Sequence, residues 1–215
     1  MNTRLETLAR IRAALADVPA DERPEDVPVP RSYHRSHAHG DLADLFDRRA
    51  TDYRATVLRS TPESLPDTIG TTLATRDATK VVVPEGFPAH WLPDLPWTAD
   101  RPALTVPELD ALDGVLTTAA AAIAVTGTLV LDAGPGQGRR ALTLVPDYHL
   151  CILRASQIAA DVPDALAVLD PTRPLTFISG PSATSDIELN RVEGVHGPRT
   201  LDVIIVDDCT EEDTQ

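Results

Sequence analysis

LTFISGPSATSDIELNRVEGVHGPRTLDVIIV, residues 175–206, sets two apolar runs, LTFIS (175–179) and LDVIIV (201–206), on either side of a polar segment. Ser185 with Glu188 three residues later forms a capping box, so the intervening segment reads as a short helix over about 185–192. Buried strand, helix, buried strand is the alternation of a sheet covered by helices.

Upstream, TLVLD (128–132), ALTLV (141–145) and HLCIL (149–153) are apolar runs at strand length, and their spacing predicts adjacent antiparallel strands. A helix is expected around 155–169, another through the Ala-rich segment 115–123, and a third over about 63–76, leading into the strand KVVVP at 80–84. The fold class expected is therefore α/β. It is a Rossmann-like mixed sheet with helices on both faces, made mixed by the central hairpin.

The first 60 residues read differently, as a helical N-terminal extension. Leu5, Leu8, Ile11 and Leu15 recur at helical spacing over 3–16, and a second helix is expected over 41–59. Between them Pro19, Pro24, Pro28 and Pro30 mark an extended arm, because each proline removes a backbone donor. The expected division is 1–60 for the extension, 61–208 for the α/β domain and 209–215 for an acidic tail.

A net charge of −14 over 215 residues repels phosphate backbones and anionic lipid, which argues against nucleic-acid and membrane-surface binding. Cys151 sits in an apolar run and reads as a buried core thiol, whereas Cys209 lies in the acidic tail. Without a CxxC pair, the chain lacks the thiolates an iron–sulfur centre needs, so no cofactor is expected in it. No apolar run reaches membrane-span length and no leader pattern opens the chain; the expected compartment is cytoplasmic. His34, His37 and His39 bring three imidazoles within six residues, but no carboxylate or thiol stands at ligand spacing, so no metal site is assigned.

Four segments carry candidate chemistry. Thr126, Gly127 and Thr128 offer hydroxyls and close backbone approach, or simply a tight turn before a strand. Gly134, Gly136 and Gly138 suggest a dinucleotide loop, but a strand rather than a helix is expected next, so a hairpin loop is the better reading. The following Arg139 and Arg140 present planar forks suited to carboxylates, unless they pair with surface acids. Gly180, Pro181, Ser182, Asp186 and Glu188 surround a strand end and helix start, where ligands of open α/β sheets bind. His196, held before Gly197, can act as acid, base or donor near neutral pH, or as a structural donor. His196, Asp186 and Glu188 are the catalytic candidates.

SGPSATSDIE followed by GVHGPRTLDVIIVDD resembles the C-terminal signature of the lactate utilization protein C family, in the LUD-domain superfamily. AAIAVTGTLVLDAGPGQGRRALTLVPDYHLCIL is similar to the family's central signature, and PRSYHR to its N-terminal region. The resemblance implies a fold like that of ribose-phosphate isomerases, glucosamine-phosphate deaminases and CoA transferases. It also implies a part in oxidising L-lactate to pyruvate, with electron transport through iron–sulfur clusters in partner subunits. By motif, the implied pocket contains Thr126, Gly127, Thr128, Gly180, Pro181, Ser182, Asp186, His196 and Gly197. Many relatives carry an acid where this chain has Val125, and a valine can neither accept a proton nor attack a thioester.

These features read as a non-catalytic accessory subunit of a lactate-oxidising complex, with a small carboxylate as a candidate ligand. The alternative is a stand-alone small-molecule enzyme, or a regulatory protein binding a carboxylate or sugar phosphate, on the same fold.

Overall fold

The computed structural model describes residues 3–19, 21–23, 37–184, 192–193 and 197–208. The chain forms two compact units, Met1–His34 and Arg35–Gln215. The first contains helix α1 (Thr3–Ala14), none of whose side chains is buried.

The second unit begins its regular structure with α2 (Leu42–Asp52), opened by Asp41, whose carboxylate accepts the Asp44 amide at 2.8 Å. Ala43, Phe46 and Ala50 lie on its buried face at helical spacing. The helix expected over 41–59 ends here, because Arg54 takes a left-handed conformation (φ 70°) and the chain reverses. Thr56–Ser60 is strand β1 instead, parallel to the last strand with Thr56 opposite Asp202. The sheet therefore draws on residues before 61, and the helical extension is shorter than the sequence suggests.

After α3 (Leu65–Thr75) come β2 (Val81–Val83), β3 (Thr98–Ala99), the short α4 (Val106–Asp110) and β4 (Gly114–Thr118). They are followed by β5 (Ala121–Ile123), β6 (Thr128–Leu131), β7 (Tyr148–Arg154) and β8 (Ile158–Ala159). Then come α5 (Val162–Val168), β9 (Thr176–Ile178), β10 (Ala183–Thr184), β11 (Val192–Glu193) and β12 (Thr200–Val206). The main sheet has six strands in the order β1-β12-β7-β4-β2-β3, all parallel. Alternate residues of its central strands face opposite layers. Cys151, Leu153, Val203 and Ile205 pack with Phe46 of α2 on one side. Leu150, Ile152, Ile204 and Val206 pack with Leu65, Ile69 and Leu73 of α3 on the other. An α/β sheet with helices on both faces is thus what forms.

The antiparallel pairing lies elsewhere, in a second sheet of order β8-β5-β6-β9, where β6 pairs antiparallel with both β5 and β9. The helix expected over 115–123 is replaced by β4 and β5. Pairing with β2 and β7 overrides the helical preference of alanine, and Ala119, Ala122 and Ala124 are small enough to let the second sheet close on Cys151 and Phe46. ALTLV is not a strand either. Arg140–Thr143 makes one 3₁₀ turn that drops Leu142 into a cluster with Val82, Leu109 and Val115. HLCIL therefore pairs with β4 and β12, not with TLVLD. The helix expected over 155–169 shortens to α5, capped by Asp161. Residues 185–191 of the helix expected over 185–192 lie outside the described residues, and Val192 belongs to β11, which pairs with β10. No helix among the described residues is long and apolar enough to cross a membrane.

Candidate functional site

The 3₁₀ turn before β7, the end of β9 and the short link into β12 meet around a cavity of about 250 Å³. Its lining includes Arg140, His149, Ser179, Gly180, Ser182 and Gly197. Both His149 and Leu201 stand one residue inside the amino ends of β7 and β12. The cavity thus opens at the amino edge of the main sheet, not at the carboxyl edge where open α/β sheets usually bind ligands. The reason is topological. Gly180–Ser182 follow β9, a strand of the second sheet rather than of the parallel one.

Two glycines let these loops tuck under α2. Gly127 has φ +60°, and a Cβ there would come within 2.5 Å of the Ala50 amide nitrogen. Gly180 has φ +83°, and its Cβ would lie 2.6 Å from the Tyr53 carbonyl oxygen. The end of α2 therefore braces both the Thr126–Thr128 turn and the loop leaving β9. The two loops are also bonded together: Thr128 Oγ1 is 2.8 Å from Ser179 Oγ and 2.7 Å from Thr126 Oγ1. On the far side the Ser182 amide donates to the Pro198 carbonyl at 2.9 Å, which fixes Gly197 beside Ser182.

Arg139 and Arg140, adjacent in sequence, go to different places. Arg139 binds both oxygens of Asp100, at 2.8 and 2.9 Å, and also donates to the Leu104 carbonyl, so the pairing reading holds for it. Arg140 stands at the cavity rim and donates to Thr143 Oγ1 at 2.9 Å. Among the described residues it has no carboxylate partner. It remains solvent-exposed, yet enough protein surrounds its guanidinium to lower its pKa from the ordinary value.

His149 lies in the apolar run HLCIL and is not among the candidate residues read from the sequence. It is 1% exposed. Its Nε2 lies 2.8 Å from Thr117 Oγ1 on β4. Burial first, and the charge of Arg140 second, push its pKa down to about 4, so it is neutral at physiological pH. Among the described residues no side-chain hydrogen bond joins its other ring nitrogen, and no buried side-chain nitrogen or oxygen there is left unbonded. His149 is one of the residues that line the cavity.

Of the residues singled out from the sequence, Arg140, Gly180, Pro181, Ser182 and Gly197 line this cavity. Thr126, Gly127 and Thr128 stand behind it and hold Ser179, and Arg139 is committed to Asp100. Asp186, Glu188 and His196 lie outside the described residues. Val125 turns away, into an apolar cluster with Ile123, Val130 and Ala165. The glycine-rich loop closes on itself, with Gln137 accepting the Asp132 amide and Asp132 accepting the Gly134 amide, and it leads to the 3₁₀ turn rather than to a hairpin partner. Cys151 is fully buried, which pushes its thiol up to about 12.

His37 lies 2.6 Å from Asp161 at the start of α5, so its ring anchors the chain before α2. Among the described residues no three His, Cys, Asp or Glu side chains gather to hold a metal ion. A second cavity, about 470 Å³, lies at the carboxyl ends of β4 and β7. Its charges are engaged internally: Asp132 pairs with Arg173 at 2.8 Å, and the Arg154 guanidinium lies 5.1 Å from the Trp91 ring centre.

Residues 100–206, which include every described wall of the first cavity, match the LUD domain. The chain is 43% identical over 211 residues to lactate utilization protein C of Deinococcus radiodurans, covering 94% of this chain and 95% of that one. It is 35% identical over 121 residues to lactate utilization protein C of Halalkalibacterium halodurans, covering 52% of each. The fold is similar to the crystal structure of a DUF162 family protein from Deinococcus radiodurans, with a TM-score of 0.66 and 38% identity over 77% of this chain and 96% of that one. The length and identity of the first of these matches, with the domain match inside it, establish that the chain belongs to the lactate utilization protein C family of LUD-domain proteins.

Proposed function

We propose that this chain is an accessory subunit of an L-lactate-oxidising system, binding a small carboxylate while iron–sulfur subunits carry the electrons. One observation carries the ligand class: Arg140 reaches the rim of a small cavity and has no carboxylate partner among the described residues. A guanidinium lowered in pKa by its surroundings gains most from an anion that neutralises it. At about 250 Å³ the cavity suits an acid of a few carbons better than a nucleotide. The names of the relatives supply the pathway.

Purification of the tagged chain from its native host grown on L-lactate tests the system. Co-purifying iron–sulfur proteins whose visible absorbance bleaches with lactate support it. A colourless, solitary chain counts against it. Titration of the chain with L-lactate and pyruvate tests the ligand class, with Arg140→Gln expected to abolish binding.

The second reading, a stand-alone enzyme acting on a sugar phosphate or thioester, draws on the larger crevice at the carboxyl ends of β4 and β7. Turnover by the purified chain, lost on changing Arg154 or Arg173, would favour it.

A further inference from the structure

We infer that helix α1 of one copy of the chain docks on an apolar groove beside α3 of a second copy, so that two copies exchange their N-terminal helices.

A helix of 12 residues is marginal in water unless one of its faces is covered. None of the side chains of α1 is buried. At helical spacing Leu5, Leu8, Ile11 and, just past its end, Leu15 fall on one face, and Arg4 and Arg12 fall on that face too. Leu5, Ile11 and Leu15 are exposed. A face that mixes leucines with arginines is matched by an apolar floor with acids around it.

The α/β unit carries such a surface. A groove of about 340 Å³ lies between α3 and the loop leading to β3, lined by Gly70, Leu73, Ala74, Val81, Leu95 and Trp97 among others. It shares no lining residue with the cavity at the amino edge. Asp67 stands on α3 at helical spacing from Gly70 and Ala74, Asp77 follows the helix, and Asp94 precedes Leu95. All three acids are exposed, and none makes an ion pair among the described residues. Of the neighbouring cations Arg76 is bound to Asp202, so along this stretch three acids stand against Lys80.

A second copy presents both halves of the match, an acidic body and a basic helix. The chain has a net charge of −14, yet α1 carries Arg4, Arg10 and Arg12 against Glu6 alone. Pro19, Pro24, Pro28 and Pro30 separate α1 in sequence from α2, and a proline-rich composition suits a spacer that presents an element to a neighbour. Reciprocal exchange is isologous and closes at two copies.

The test compares the full chain with Leu8→Glu, which puts an acid on the leucine face of α1, and Ala74→Glu, which puts one on the groove. Neither side chain is buried, and circular dichroism checks that both variants fold. Sedimentation over a range of concentrations is expected to show a wild-type dimer that weakens with added salt. Each substitution should raise its dissociation constant roughly tenfold or more, about 1.4 kcal/mol. An equimolar mixture of the two variants retains one intact helix and one intact groove, and should associate more tightly than either variant alone. If Ala74→Glu does not fold, Asp67→Arg takes its place. A dimer indifferent to both substitutions, or a mixture no tighter than its components, would overturn the inference. So would a wild-type monomer: equal losses of melting temperature in the two variants would then place α1 on the groove of its own copy, and loss of a co-purifying protein in Leu8→Glu alone would place it on a different chain.

Discussion

Thr128 Oγ1 and Ser179 Oγ lie 2.8 Å apart, a bond between the start of β6 and the residue that leaves β9. It is the point at which two separate signature segments become one wall. Thr128 is nearly buried, and its hydroxyl is shared with Thr126, so the three oxygens form a chain ending at the cavity. Thr128→Val keeps the shape and removes the hydroxyl. It should cost about 1 kcal/mol, or roughly 2–4 °C in melting temperature. It should also weaken pyruvate binding, because Ser179 loses the partner that aims it. Melting curves with and without pyruvate separate the two effects.

Asp202, the third residue of β12, is 1% exposed. Arg76 holds it with two hydrogen bonds of 2.7 and 2.8 Å, and the Tyr148 hydroxyl donates a third at 3.0 Å. Burial and the neighbouring carboxylate push the Tyr148 phenol well above its ordinary pKa. Arg76→Ala leaves a buried carboxylate without its counter-charge and is expected to destabilise by about 3–5 kcal/mol. Denaturant unfolding would show the loss as a lower midpoint at unchanged slope. Below the new melting point, binding in the cavity should persist, since Arg76 does not line it.

His149 predicts a pH dependence with a definite sign. The folded chain holds its pKa near 4, against an ordinary value of 6.5. Between those values the unfolded chain binds a proton that the folded chain refuses. Stability from this residue is therefore complete above 6.5, falls as pH drops toward about 4, and falls no further below it. The loss across the window is of the order of 3 kcal/mol at most. Urea unfolding from pH 7 to 4.5 should show this slope, and His149→Gln should flatten it. An unchanged slope in the variant would show that the imidazole is not held neutral.

Gly127 and Gly180 should not tolerate a side chain. Each has positive φ, and each would drive a Cβ into the backbone at the end of α2. Gly127→Ala is expected to cost roughly 1–3 kcal/mol for its backbone conformation alone, with the clash at Ala50 added. Gly40, also at positive φ but with open space around it, is the control: alanine there meets the backbone penalty without the clash. Comparing the three melts separates the two contributions.

Arg139 and Arg140 show where sequence reading stops. They are the same residue type in the same loop, and what separates them is Asp100, 39 positions away in sequence, which takes Arg139 alone. His149 was invisible for a related reason. It sits in an apolar strand where alternation points it to the same face as Cys151, and only the second sheet and the loop after β9 turn that face into a cavity. The Ala-rich stretch misled in the opposite direction, since alanine favours helices locally but also permits the closest packing of two sheets.

By itself the sequence determined the α/β class, the strands at 81–83, 128–131, 149–153 and 201–206, and the glycine-punctuated segments that come together at the cavity. These follow from local hydrophobic periodicity and turn chemistry, which neighbouring residues carry. Only the tertiary structure decided that the main sheet is wholly parallel, that β6 and β9 belong to a second sheet, and that the cavity lies at the amino edge. Strand partners are chosen by contacts between residues far apart in sequence, and a run such as HLCIL is equally apolar whichever strands flank it.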